Sequence, residues 1–137
     1  MIERAVVVVF LILIVPMVYR WFTRRLLGRA ATHAASDPIL AKAKPGVPTI
    51  VYFTTPLCVP CRTLQEPALK QLQAEMGDVI QVIKIDASRY PDTADRWGVF
   101  SAPTTFILDS KGQPQNVNHG VADCDKLKGQ LQLLRVV

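Results

Sequence analysis

Residues 5–19 read AVVVVFLILIVPMVY, fifteen positions in succession without a charge. A run with no polar face cannot lie on the surface of a small fold as an amphipathic helix would, and a chain of 137 residues offers it little to pack against as a core helix. As a helix the run covers about 22 Å, short of the roughly 30 Å hydrocarbon thickness of a bilayer. Met1 and Ile2 extend it on one side, Trp21 and Phe22 on the other. With Arg4 and Arg20 snorkelling outward, a helix over residues 2–22 is long enough to span. Pro16 is tolerated inside such a helix, and Tyr19 and Trp21 suit the water–lipid interface.

The flanks separate an anchor from a cleaved leader. A signal peptide carries its positive charge before the apolar run and a small-residue cleavage site just after it. Here Arg20, Arg24, Arg25 and Arg29 follow the run, and the small residues of Ala30–Ala35 come too late. The expectation is a retained, single-pass membrane anchor over residues 1–29 with its basic flank. The positive-inside tendency favours a cytoplasmic position for the C-terminal domain. Residues 1–46 hold seven basic side chains against two acidic ones, whereas residues 47–137 hold nine of each. The net charge of +5 therefore lies outside the globular part, and no nucleic-acid partner is expected.

Asp37-Pro38 and Pro45-Gly46-Val47-Pro48 interrupt any helix, so residues 30–46 read as a tether and residues 47–137 as one domain. Thr49–Thr54 is β-branched and aromatic, a strand. Val59–Met76 has apolar residues at helical spacing and Gly77 closes it. Val79–Ile85 is a second strand, and Pro91–Trp97 a short helix ended by Gly98. Thr104–Leu108 and Gln115–Asn118 flank a Ser110–Gln113 turn as a hairpin. Asp123 or Asp125 caps a last helix with a stripe of Leu127, Leu131 and Leu134. The order β-α-β-α-β-β-α predicts an α/β sandwich around a central sheet whose first two strands are parallel.

Cys58-Val59-Pro60-Cys61 falls between the first strand and the long helix. The first turn of a helix presents unpaired N–H groups and the positive end of the macrodipole, which stabilise a thiolate at Cys58. Cys61, three residues later, is placed to reach it, and Pro60 removes an N–H that has no helical partner in any case. Two other readings compete. Zinc needs four ligands, and only Cys124, His33 and His119 remain, none spaced as a pair; no metal is expected. A buried structural pair fits poorly with a proline between the cysteines at a strand–helix junction.

Residues 49–135 resemble the thioredoxin family. The resemblance rests on TIVYFT running into Leu57-Cys58-Val59-Pro60-Cys61-Arg62, on Val82–Ile85 ending in Asp86, and on Tyr90–Val99 leading to Ser101-Ala102-Pro103-Thr104-Thr105. It implies a thioredoxin-like three-layer α/β fold, a mixed sheet flanked by helices, placed after the anchor helix. It also implies a cis Ala102–Pro103 bond with Pro103 facing Cys58. The implied activity is thiol–disulfide exchange with disulfide- or dithiol-containing protein substrates, without a cofactor. Cys58 attacks and Cys61 resolves, while Leu57, Val59, Pro60, Ala102 and Pro103 contact substrate.

The chain departs from the family pattern at named positions. Leu57 stands where tryptophan is common, and Val59-Pro60 replaces Gly-Pro. The buried acid of typical members falls at Tyr52 and its lysine partner at Val82, and Pro67 comes one residue late in the helix. These departures motivate an alternative, a binding or scaffold module with little redox chemistry; cofactor assembly is a third idea. Cys124 reads as a free thiol, His119 as a surface residue, and Trp97 and Phe100 as core, with Phe100 at the border of the groove as its other reading.

Overall fold

The computed structural model describes residues 1–34 and 36–136; Ala35 in the predicted tether and Val137 at the end of the predicted domain lie outside the described residues. The apolar run forms the first half of one helix, α1 (Ile2–Ala34), long and apolar enough to cross a membrane. Side chains of its apolar half are exposed, but Leu26, Ala30 and Ala34 recur at a spacing of four and are buried. One helix thus has two surroundings, and the change of pattern from uniformly apolar to i, i+4 marks where they meet.

The remaining order is β1 (Thr49–Thr54), α2 (Glu66–Met76), β2 (Gln81–Asp86), α3 (Pro91–Trp97), β3 (Thr104–Leu108), β4 (Pro114–His119) and α4 (Cys124–Val136). The sheet runs β2-β1-β3-β4; β1 is parallel to β2 and β3 antiparallel to β4, as the predicted crossover and hairpin require, and β1 pairs antiparallel with β3. Strand β2 starts at Gln81 rather than Val79, because residues 77–79 form a short helical turn after Gly77. Gly98 at φ +69° closes α3, a conformation that costs an L residue with a Cβ. Asp123 caps α4 through its carboxylate, which accepts the Lys126 N–H at 2.8 Å.

Alternation along the strands divides the interior into two cores. Ile50, Tyr52 and Ile107 face α2 and α4, meeting Leu69, Leu72, Leu127 and Leu131. Val51, Phe53, Phe106 and Leu108 face α1 and α3, meeting Leu26, Ala30, Ala34, Ala94 and Trp97. Phe53, Trp97 and Phe106 form an aromatic trio with ring centroids 5.1–5.9 Å apart. The result is the expected three layers, with the end of the apolar helix serving as part of one outer layer.

Within the segment read as a tether, Ala30, Ala34 and Asp37 are buried. The Asp37 carboxylate accepts hydrogen bonds from the Trp97 indole (3.0 Å), the Ile39 N–H (3.2 Å) and Arg96 (3.3 Å). Burial opposes its ionisation, yet these donors hold the Asp37 carboxyl below its usual value. The helix and the sheet are consequently fixed to each other rather than loosely joined. Leu26 lies against Gly98, where an added Cβ would come within 3.1 Å of its Cδ1. Ala34 lines a cavity at the opposite end of the sheet with Thr49, Leu108 and Lys111.

The long helix also departs from expectation. Residues 61–65 wind as a π-type turn, in which the Glu66 N–H donates to the Cys61 carbonyl, before α2 begins. A π-type turn houses one extra residue, and Pro67 sits one position late for the family pattern. The wider turn takes up that residue and keeps the proline, which cannot donate to a carbonyl, near the start of α2.

Candidate functional site

Strand β1 delivers the chain to a tight turn in which the Cys58 N–H donates to the Thr55 carbonyl at 3.2 Å. Cys58 and Cys61 are joined as a disulfide, their Cα atoms 5.3 Å apart. Cys58 is 9% exposed and Cys61 0%, so an incoming group can reach only the first sulfur. The Cys61 N–H donates to Cys58 Sγ at 3.2 Å. That bond brings one of the otherwise free donors of a first helical turn to Cys58 Sγ.

Around Cys58 lies an open groove of about 670 Å³. Leu57, Val59, Pro60 and Ala102 line it together with Val99 and the exposed Phe100. Four of the five residues expected to contact substrate are therefore brought together. The fifth, Pro103, is buried; its carbonyl accepts the Gly120 N–H at 2.9 Å, and Ala102 presents to the groove in its place. The Ala102–Pro103 peptide bond is cis. Trp97 is in the core, but Phe100 is 78% exposed, so it takes the groove-edge position rather than the core one.

Beneath the pair, Tyr52 shares the buried cluster of Cys58 and Cys61, and its hydroxyl has no hydrogen-bond partner among the described residues. Burial pushes its phenol pKa up, and it carries no charge to exchange with Cys61 at neutral pH. Tyr52 is paired across the sheet with Lys84, whose ammonium bonds Glu66 at 2.6 Å. The hydrogen bond from Lys84 to Glu66 raises the lysine pKa, so the ammonium stays charged over the physiological range. Cys124 is a free, buried thiol, its pKa raised by burial. His119 is exposed at the end of β4, as expected for a surface residue.

The family model described as Thioredoxin matches residues 31–132. The chain belongs to the thioredoxin family. With its cysteine pair in place at the helix start, this thioredoxin-family chain is a thiol–disulfide oxidoreductase. It is 31% identical over 113 residues to thioredoxin Y, chloroplastic, of Oryza sativa subsp. japonica, covering 82% of this chain and 65% of that protein. Against the thioredoxin of Bacillus subtilis it is 35% identical over 79 residues, 58% of this chain and 74% of the relative. Among solved structures, chloroplastic thioredoxin z superimposes with a TM-score of 0.64 at 25% identity, covering 72% of this chain and 87% of the other.

Sequence reasoning missed two arrangements around this thioredoxin site. Gln65 is fully buried and grips Ala122 twice, donating to its carbonyl at 3.0 Å and accepting from its N–H at 2.9 Å. Nothing in the local pattern marks Gln65 as internal, because the π-type turn shifts the helical phase by one residue. The Glu66–Lys84 pair was readable in part: strand alternation puts Lys84 on the same face as Val82.

Proposed function

We propose that this chain exchanges disulfides with protein partners while held at a membrane by residues 2–22. In the reducing direction, the Cys58 thiolate attacks one sulfur of a partner disulfide, forming a mixed disulfide and releasing the other partner sulfur as a thiolate. Cys61, losing its proton, then attacks Cys58 Sγ; the second partner sulfur leaves and takes up a proton. Two electrons pass to the partner, and the chain is left with the Cys58–Cys61 bond described above. Run backwards, the same steps oxidise a partner dithiol.

The observation that carries the roles is the Cys61 N–H directed at Cys58 Sγ on the exposed side of a fully buried Cys61. It supports Cys58 as attacking group and Cys61 as resolving group, while the groove lining supports Leu57, Val59, Pro60 and Ala102 as the substrate-side wall, with Pro103 buried. Insulin reduction by the full chain tests the roles: Cys58→Ser and Cys61→Ser should both abolish turnover, and wild-type rates in both would refute them. A Cys58 thiol pKa near 8.5 would favour the scaffold module instead.

Anchoring is supported by the continuity of α1. Its apolar half is exposed, while Leu26, Ala30 and Ala34 of the same helix complete a core, so removal as a leader would cut next to a packed helix. In this reading residues 1–29 anchor, residues 30–46 form a packed link, and residues 47–137 carry the chemistry. Arg20, Arg24, Arg25 and Arg29 favour the cytoplasmic side. A reporter fused to the C-terminus tests the side.

A further inference from the structure

We propose that the disulfide groove faces the bilayer and takes its partner's disulfide at the lipid surface, from an integral or lipid-anchored protein whose cysteines lie in the first residues outside the membrane. The proposal rests on the anchoring reading above and adds a direction and a height to it.

The direction comes from which residues α1 meets along its length. Leu26 contacts the position of Gly98, and the next two residues, Val99 and Phe100, line the groove with Cys58. Ala34, about 12 Å further along the helix, borders a cavity with Thr49, Leu108 and Lys111. Thr49 begins β1 and pairs with Leu108, whereas Thr54 at the other end leads to Cys58. Helix α1 and strand β1 therefore run in opposite directions. As α1 leaves the membrane it passes the groove first and the hairpin turn last.

The height comes from the same helix. Phe22 closes the apolar stretch, and Leu26 is one turn beyond it, about 6 Å along the axis. The position is held, because Leu26, Ala30 and Ala34 are buried and Asp37 is bonded to Trp97 and Arg96. The rim has the chemistry of an interface. Leu57 is 90% exposed and Phe100 78%, both apolar, while Arg24, Arg25 and Arg29 stand along the helix where anionic headgroups would meet them. A globular substrate in solution would have to enter between the domain and the lipid.

The test uses the full chain, reduced beforehand and reconstituted in vesicles of zwitterionic and anionic phospholipid, in single turnover. The substrate is one disulfide peptide in three forms: free in solution, hung from a lipid by a spacer of a few residues, and hung by a Gly/Ser spacer of about 30 residues. The native chain is expected to reduce the short-spacer peptide at least as fast as the long-spacer one. Inserting about 18 residues of alanine-rich helix between Thr23 and Arg24 lifts the groove by about 27 Å. This should slow the short-spacer peptide about tenfold or more, with the free peptide within about twofold of native. A native chain that reduces the long-spacer peptide about tenfold faster than the short one would overturn the proposal. So would an insertion that leaves the short-spacer rate unchanged. Flotation of the chain with the vesicles is scored separately: a chain that fails to float refutes the anchor itself, whereas the rate comparisons refute only the orientation.

Discussion

The backbone N–H of Cys61 points at Cys58 Sγ across 3.2 Å. A donor fixed in that position stabilises negative charge on Cys58 and does nothing for Cys61, so the two sulfurs of the reduced pair should ionise differently. Cys58 is expected to titrate below the free-cysteine value of about 8.5. Thiol alkylation rate against pH, read in Cys61→Ser, measures it. With a mixed disulfide formed on Cys58 and no resolving thiol, Cys61→Ser should also retain partner proteins covalently, and Cys58→Ser should retain none.

Asp37 gives the fold a dependence on acid. Its carboxyl is held below its usual value, so the stabilisation is complete above the unfolded value of about 3.9 and is lost as pH falls through the lower folded one. Denaturant midpoints in detergent should therefore decline below about pH 4, and more steeply in the native chain than in Asp37→Asn. At neutral pH Asp37→Asn should cost about 1–3 kcal/mol, since it weakens bonds to a buried indole and to Arg96.

Gly98 joins the chemistry to the helix. A side chain there meets both an unfavourable backbone at φ +69° and Leu26 Cδ1. Gly98→Ala should destabilise by about 1–2 kcal/mol from the backbone alone. Combined with Leu26→Ala it should show less than additive loss, because the smaller residue removes the contact but not the conformation. Chemical denaturation of the four chains of the cycle checks this.

Phe100 is exposed at the groove edge and supports little of the core. Phe100→Ala should leave stability within about 0.5 kcal/mol. It should lower kcat/KM for a protein disulfide by about tenfold, as loss of an apolar anchor does. A small disulfide that does not reach the rim should react at the native rate, and equal loss on both substrates would place Phe100 in folding instead.

Cys124 is buried with a raised pKa and has no disulfide partner. The oxidised folded chain should give almost no colour with a thiol reagent near pH 8, and one equivalent once unfolded. Cys124→Ala should keep turnover within about twofold, since the thiol acts as a small apolar side chain.

The layers, the order of elements along the chain and the place of the cysteine pair were legible because each rests on a short-range signal. β-branched residues marked β1, Gly98 marked the end of α3, and the strand–helix junction marked Cys58. What escaped depends on contacts between distant segments. Residues 30–46 have the prolines of a linker, and only Trp97, sixty positions on, turns Asp37 into a buried ligand of the core. Phe100 looks like a core residue by type; its exposure is set by the chain direction after Gly98. The π-type turn has no composition of its own, and Pro67 was its single trace. Lys84 and Glu66 are ordinary surface residues until the sheet and helix bring them within 2.6 Å.

Because the end of α1 forms one wall of the core that holds Phe53, Trp97 and Phe106, the sheet cannot complete its packing without that helix. The helix is synthesised before the sheet and must wait, with Leu26, Ala30 and Ala34 uncovered, until the sheet follows. A shortened chain beginning after residue 46 would expose that aromatic trio to water and should aggregate, so the catalytic part owes its solubility to the helical segment packed over it.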